Sequence, residues 1–255
     1  MTTTATPAKP QRGWTRAIGE IVAAFLVVMA AKAALAEPFY VPSASMEPTL
    51  LIGDALLASK FPYGYGTASL PMNVSVPTSA RLFGNLPERG DVVVFRWPGD
   101  TSQAWVKRVI GLPGDRVQMR DGRLWLNGKP VQVSADGFGD AENEDGGTLP
   151  AARYTETLPG GHSHPFFKLR THGALDNTDE VTVPPGKLFV MGDNRDNSAD
   201  SRVPVAEGGV GLLPVDNLVG RVDTVLGSWD IAAKRQPIWH WPSGLRLSRT
   251  FSSVQ

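Results

Sequence analysis

The chain has 255 residues, and its basic and acidic side chains balance at 25 each. This balance gives no electrostatic reason to expect a nucleic-acid partner. Cysteine is absent, which excludes a disulfide framework, a zinc–thiolate site and a cysteine nucleophile. Glycine (27 residues) and proline (21 residues) are abundant, and this composition favours short strands joined by turns.

The amino-terminal region predicts a membrane anchor. Residues 1–17 carry Lys9, Arg12 and Arg16 and no acidic side chain, and the apolar stretch 18–36 follows them. As a helix this stretch would extend about 28 Å, close to the thickness of a bilayer core. Because a positive flank stays in the cytoplasm, we expect a cytoplasmic tail (1–17), a transmembrane helix (18–36) and an exported remainder.

A cleaved signal peptide is the alternative interpretation of this stretch. Glu20 and Lys32 interrupt the apolar run, and Ala34-Leu35-Ala36 resembles the small-residue site at which a signal peptide is cut. Both interpretations place the bulk of the chain outside the cytoplasm.

The remainder of the chain predicts a mainly β fold. Asp91–Trp97 and Gln103–Ile110 have the β-branched and aromatic density of buried strands. Asp121-Gly122 and Asn127-Gly128 predict tight hairpin turns. Further strands are expected at Asp54–Lys60, Arg116–Met119, Arg123–Leu126, Lys129–Val133, Glu180–Val183, Lys187–Met191 and Leu218–Leu226.

Residues 134–180 differ from their surroundings. They are rich in acidic residues and glycine and have only scattered apolar positions. We interpret them as an insertion or a small subdomain within a β domain formed by 37–133 and 181–255. The expected architecture is coiled antiparallel sheets, partly barrel-like.

Ser45 and Lys107 are the candidate reactive pair. A serine becomes nucleophilic when a base removes its proton, and a lysine can act as that base only when it is neutral. Strand alternation puts Lys107 on one face with Trp105 and Val109, where desolvation would lower its pKa. Arg108 adds a neighbouring positive charge. The alternative is an ordinary loop serine and an ordinary strand lysine.

Histidine offers no comparable pattern. His162 and His164 lie in a Gly/Pro loop, where a metal site is possible but solvated side chains are the default interpretation. His172 and His240 also lie outside any segment that resembles a catalytic strand end.

Three sequence runs resemble the motifs of bacterial type I signal peptidases. Pro42–Gly64, with its core S-x-S-M-x-P-T-L, resembles the nucleophile box of that family. Arg89–Pro98 followed by Trp105–Asp115 resembles the box of the general-base lysine, and Met191–Arg202 resembles the final box. The resemblance covers about 37–120 and 185–250 and leaves 134–180 uncovered.

The resemblance implies a serine/lysine dyad. Ser45 would attack the scissile carbonyl, and Lys107 would take its proton. The Ser45 backbone N–H and the Ser43 hydroxyl would stabilise the oxyanion. Ser198 would hydrogen-bond the Lys107 amine and hold it toward Ser45.

The resemblance also implies supporting and substrate-contacting residues. Asp193 would pair with Arg108, and Asp200 with Arg195 or Arg202. The candidates for shallow apolar pockets, each with ordinary core packing as the alternative, are Phe39, Val41, Met46, Leu50, Trp105 and Val106.

The implied function is removal of signal peptides from exported preproteins by a membrane-bound serine endopeptidase. No metal or cofactor is expected. The expected partners are signal peptides and membrane lipid, and Trp239 and Trp241 are candidates for contact with the lipid. We expect a monomer in the inner membrane, with its catalytic domain on the outer side. The alternatives are a specialised peptidase with one substrate, such as the kind that matures conjugative pilins, and a non-enzymatic membrane-tethered β-domain.

Overall fold

Antiparallel strands make up most of the chain. The computed structural model describes residues 13–69, 81–82, 84–143 and 147–254, so residues 1–12 of the predicted tail lie outside the described residues. One α-helix, α1, comprises Gly13–Ala34. The strands that follow are β1 Ala36–Tyr40, β2 Asp54–Ser59, β3 Val92–Trp97, β4 Asp100–Gly111, β5 Arg116–Arg120, β6 Arg123–Leu126, β7 Lys129–Pro130, β8 Gln132–Glu142, β9 Thr148–Thr157, β10 Ser163–Lys168, β11 Val181–Thr182, β12 Lys187–Met191, β13 Leu213–Pro214, β14 Leu218–Ser228 and β15 Ser252–Ser253.

Short 3₁₀ turns connect many of these strands. They comprise Ala44–Met46, Phe61–Tyr63, Thr67–Ser69, Val205–Glu207, Val215–Asn217, Ile231–Arg235, Ile238–Gly244 and Leu247–Arg249.

The strands form three sheets. The largest runs in the order β1-β2-β14-β3-β4-β12-β13, with β15 added to β14. A three-stranded ribbon has the order β10-β9-β8, and a four-stranded sheet has the order β11-β5-β6-β7. The predicted mainly β, antiparallel fold is confirmed. The path of the large sheet has two ends, so its described strands do not close a barrel.

Helix α1 presents apolar side chains to its surroundings. Trp14, Ile18, Phe25 and Leu26 are among those that are exposed. No helix in the described part of the chain has the length and apolar content needed to cross a membrane.

The tight turns match their sequence signals. Asp121 and Gly122 have φ of 49° and 74°, and Asn127 and Gly128 have φ of 53° and 77°. Two successive positive φ values define the turn that matches the twist of a two-residue hairpin. These turns fix the register of β5, β6 and β7.

The core of the large sheet lies beside the loops that carry the predicted site. One buried cluster joins residues of the β1–β2 connection to β3 and β14, among them Met46, Leu50, Val94 and Val219. Since β4 pairs with β3 on one side and β12 on the other, the centre of β4 is held within the sheet.

Candidate active site

Ser45 lies in the 3₁₀ turn that connects β1 to β2. Its neighbours Ala44 and Met46 are buried, and the backbone N–H of Glu47 closes the turn by donating to the Ala44 carbonyl at 3.1 Å. The buried flanking side chains anchor the turn, while Ser45 itself retains 9 % exposure. The serine therefore lies at the surface of the core on a well-supported turn.

Lys107 lies in the middle of β4. Its register partner on β3 is Val93, and the next residue, Arg108, is paired with Met191 of β12. The chain after β12 consequently begins beside Lys107. There the backbone N–H of Asn194 donates to the Ser45 carbonyl at 3.1 Å. Three separate sequence segments thus converge on one site.

The amine and the hydroxyl are in direct contact. Lys107 Nζ lies 2.7 Å from Ser45 Oγ and 3.1 Å from the Val106 carbonyl oxygen. Lys107 is 4 % exposed, and its Nζ lies 5.7 Å from the centre of the Trp105 ring. Ser43 Oγ lies 3.4 Å from Ser45 Oγ.

Burial lowers the pKa of Lys107 to about 8, from an ordinary value of 10.5. The carboxylates of Asp200 and Asp193 oppose this shift, and the guanidinium of Arg202 adds to it. A substantial fraction of Lys107 is therefore neutral just above neutral pH. A neutral amine at hydrogen-bonding distance can accept the serine proton.

A cleft of about 790 Å³ opens onto the pair. Phe39, Leu56, Val94, Trp105 and Val106 contribute apolar walls, and Ser43, Ser45, Lys107 and Ser198 lie along the same cleft. The site therefore combines a serine hydroxyl, a buried lysine amine and an apolar surface in one cleft.

Comparison with known proteins identifies the family. A family model described as "Signal peptidase, peptidase S26" matches residues 14–229. Signal peptidase I of Rickettsia typhi (strain ATCC VR-144 / Wilmington) is 35 % identical over 237 residues, covering 86 % of this chain and 85 % of that protein. The chain belongs to the S26 signal peptidase family. It is therefore a serine endopeptidase.

Further relatives have the same description. Signal peptidase I of Rickettsia prowazekii (strain Madrid E) is 33 % identical over 255 residues, covering 92 % of each chain. A solved structure of a signal peptidase I from Enterococcus faecalis V583 is 30 % identical and covers 54 % of this chain and 97 % of that chain, with a TM-score of 0.31.

The structure brings two of the expected charged pairs together. Arg108 donates to Asp193 from Nε at 2.9 Å and from Nη2 at 2.8 Å, with both side chains buried. Asp200 accepts from Arg202 at 2.9 Å and 2.7 Å, so Arg202 is its partner among the two arginines considered. Arg195 instead donates to Glu156 at 2.6 Å.

The expected hydrogen bond between Ser198 and Lys107 is not made. Ser198 Oγ is buried and has no hydrogen-bond partner within the described residues. The Val106 carbonyl takes the second contact of the amine instead. Ser198 packs closely against Gly192, where an added Cβ would lie 2.3 Å from Ser198 Oγ and 2.4 Å from the Ser45 carbonyl oxygen.

Half of the expected pocket residues belong to the core. Phe39, Trp105 and Val106 line the cleft. Val41, Met46 and Leu50 do not, because they are buried in the cluster that joins the β1–β2 connection to the sheet. These three side chains pack in the core.

A positive charge that sequence reasoning did not consider also acts on Lys107. The guanidinium of Arg202 lowers the pKa of the lysine. The charge of Arg108 is neutralised by its bidentate contact with Asp193.

Sequence reasoning missed a buried polar cluster behind the site. His164 is buried, and its Nε2 lies 3.5 Å from Glu156 and 3.9 Å from Asp193. Burial, followed by the charge of Arg108, lowers its pKa well below the ordinary value, so this histidine is neutral. The interpretation of His164 as a solvated loop residue was wrong. The H-x-H spacing was a local signal: His164 lies in β10, and His162 lies just before that strand.

Proposed function

We propose that this enzyme removes amino-terminal signal peptides from exported preproteins through a Ser45/Lys107 dyad. The observation that carries the proposal is the 2.7 Å contact between Lys107 Nζ and Ser45 Oγ. It is made by an amine whose burial favours its neutral form. The chain's family membership supplies the reaction class.

The reaction proceeds in two steps. Neutral Lys107 takes the Ser45 proton as Oγ attacks the scissile carbonyl, and the resulting ammonium delivers that proton to the leaving amine. This forms an ester between Ser45 and the signal peptide. A water molecule, deprotonated by Lys107, then hydrolyses the ester and restores the serine.

The oxyanion requires hydrogen-bond donors near Ser45. We assign this role to the Ser45 backbone N–H and the Ser43 hydroxyl, whose oxygen lies 3.4 Å from Ser45 Oγ. A donor of this kind lowers the barrier by about 3 kcal/mol in other proteases.

The cleft favours small residues near the cut. Phe39, Trp105 and Val106 form apolar walls beside the dyad. Walls of this kind exclude large side chains more strongly than they attract small ones, which suits the small residues at the first and third positions before a signal-peptide cleavage site. Leu56 and Val94 extend the same apolar surface.

We propose that the enzyme acts at a membrane. Helix α1 begins at Gly13, and apolar side chains between Trp14 and Val28 are exposed, as is Arg16. We assign 18–36 as the anchor, with the amino terminus in the cytoplasm and the catalytic β domain (37–133 and 181–255) on the outer side of the inner membrane. We assign 134–180, which includes most of the ribbon, as an inserted subdomain. We expect a single copy of the chain to be sufficient for activity.

Cleavage of a preprotein with an Ala-x-Ala site tests the function. We expect the purified enzyme in detergent to cut after the second alanine, and Ser45→Ala and Lys107→Ala to reduce kcat/KM by at least a thousandfold. Ser134→Ala and Lys129→Ala are the matched controls, because both side chains are exposed on the surface.

The outcomes separate the alternatives. Near-normal activity in either dyad variant would refute the residue assignment. Cleavage of only one protein from a panel of unrelated preproteins would instead identify a specialised peptidase that uses the same dyad.

A further inference from the structure

Glu47 is a buried carboxyl two residues after Ser45. Its exposed fraction is 0 %. Its Oε2 accepts a hydrogen bond from the backbone N–H of Glu142, the last residue of β8, at 2.9 Å. Its Oε1 has no hydrogen-bond partner among the described residues. Burial of a carboxyl group is costly unless the group is neutral or paired, so this position needs an explanation.

The charged groups around Glu47 are already paired with one another. Arg246 forms an ion pair with Glu142 and donates to the Ile52 carbonyl at 2.9 Å. Arg249 forms an ion pair with Asp54, and Asp230 lies 3.8 Å from Arg246. Glu47 therefore faces two carboxylates whose counter-ions are engaged.

These surroundings favour the protonated form of Glu47. Burial raises its pKa from 4.5 to about 8. The hydrogen bond from Glu142 and the charge of Arg246 oppose this shift, while the negative charges of Glu142 and Asp54 add to it. At pH 7 the side chain is mainly neutral.

The Glu47 side chain connects the Ser45 turn to the ribbon. The turn is held on one side by the Asn194 N–H, which donates to the Ser45 carbonyl. It is held on the other side by the contact between Glu47 and β8. The ribbon also contacts the loop after β12, because Glu156 of β9 pairs with Arg195. Both supports of the serine thus depend on the same three-stranded sheet.

We propose that Glu47 is a positioning residue whose neutral side chain fastens the Ser45 turn to the end of β8 and so maintains the contact between Ser45 and Lys107. This inference rests on the proposed role of Ser45 as nucleophile. An ionised Glu47 is repelled by Glu142 and Asp54, which weakens the attachment and displaces the turn. Glu47 does not line the cleft, so it acts on the chemical step and not on substrate binding.

The test is the pH dependence of kcat and KM for the full-length enzyme in detergent, with Glu47→Gln compared with the wild type. The amide oxygen of glutamine can accept the Glu142 hydrogen bond but cannot ionise. A carboxyl with a pKa of about 8 is about nine-tenths ionised at pH 9. The ratio of kcat, variant to wild type, should therefore rise about tenfold between pH 7 and pH 9, while the KM ratio stays within about twofold. The ratio cancels the titration of Lys107, which both proteins share.

A second variant leaves Glu47 in place. Glu142→Gln keeps the backbone donor but removes a negative charge and releases Arg246. It should lower the pKa of Glu47 and move the alkaline fall in kcat toward lower pH. Glu207→Gln, on an exposed carboxyl, is the control and should reproduce the wild-type profile.

A kcat ratio that stays constant from pH 7 to pH 9 would overturn the inference, as would an effect confined to KM. Ser45→Ala in the same assay separates a failure of the role of Glu47 from a failure of the role of Ser45. If Ser45→Ala is inactive and the ratio is flat, only the role of Glu47 fails. If Ser45→Ala is active, the proposed function itself fails.

Discussion

In the proposed mechanism, the protonation state of Lys107 determines whether Ser45 can react. Burial lowers its pKa to about 8, so the amine is mostly charged in neutral solution. A charged amine cannot take the serine proton, and kcat/KM should fall about tenfold per pH unit below pH 8. The measurement is a pH profile of Glu47→Gln between pH 5.5 and 8, in which the proposed alkaline limb is absent. A flat profile across this range would exclude Lys107 as the base.

The same residue makes the fold less stable near neutral pH. Its pKa is about 8 in the folded chain against 10.5 ordinarily, so between these values the unfolded chain holds a proton that the folded chain has released. Stability therefore rises with pH across that window, and the full cost, at most about 3 kcal/mol, applies below pH 8.

Replacing the buried amine should recover part of this cost. We expect Lys107→Met to be inactive but more stable than the wild type by about 1–3 kcal/mol at pH 7, with the gain vanishing near pH 10. Urea unfolding at both pH values measures the difference, and Lys129→Met, at an exposed strand position, is the control. A variant that is less stable than the wild type at pH 7 would contradict this account of the site.

At the scale of elements, charged residues in the loop between β12 and β13 shift the pKa of Lys107. Asp200 raises the pKa of Lys107 and Arg202 lowers it, and the two side chains are paired with each other at 2.7 Å. Arg202→Met leaves the Asp200 carboxylate without its counter-ion. The acid limb of kcat/KM should then move upward by about one pH unit.

The control for this prediction is Arg153→Met. Arg153 is paired with Asp136 in the ribbon, and both side chains are partly exposed. The Arg153→Met variant should leave the acid limb of kcat/KM unchanged. A downward shift in Arg202→Met would show that Asp200 does not act on Lys107. Because a buried charge loses its partner, we also expect Arg202→Met to lower the free energy of unfolding by roughly 3–5 kcal/mol.

The strands were predictable where one face is buried. Asp54–Ser59 alternates between buried and partly buried residues, and its sequence is a short apolar run of the kind that indicates a strand. β8 does not, because nearly all of its residues are exposed or partly exposed on both faces and only Ala141 is buried. The pattern of apolar residues therefore did not predict β8. From the sequence, residues 134–180 could be described only by their composition.

At the scale of the whole molecule, residues that lie in local sequence motifs were easier to predict than an ion pair that joins distant segments. Ser45 and Lys107 could be selected from their motifs, with strand alternation as support for the lysine. The pairing of Arg195 with Glu156 could not, because it joins residues far apart in sequence and depends on how the ribbon packs against the loop after β12. The neutral, buried His164 is part of the same packing arrangement.

The carboxyl-terminal segment carries several exposed apolar side chains, which are candidates for contact with lipid. Trp239 is 74 % exposed and Phe251 is 75 % exposed, and Ile238 and Leu247 are also exposed. Aromatic side chains of this kind partition favourably into the headgroup region of a bilayer. If these side chains contact lipid, they would help to hold the catalytic domain at the surface of a bilayer.

A double variant, Trp239→Ser with Phe251→Ser, tests this arrangement on reconstituted full-length enzyme. We expect cleavage of a vesicle-inserted preprotein to fall about tenfold, because the cleft is no longer held at the bilayer surface. Cleavage of a short soluble peptide should change less than twofold, because neither residue lines the cleft. Leu82→Ser, at another exposed apolar position, is the control. An equal loss on both substrates would indicate a damaged fold, and no loss on either would show that these two residues are not needed at the bilayer.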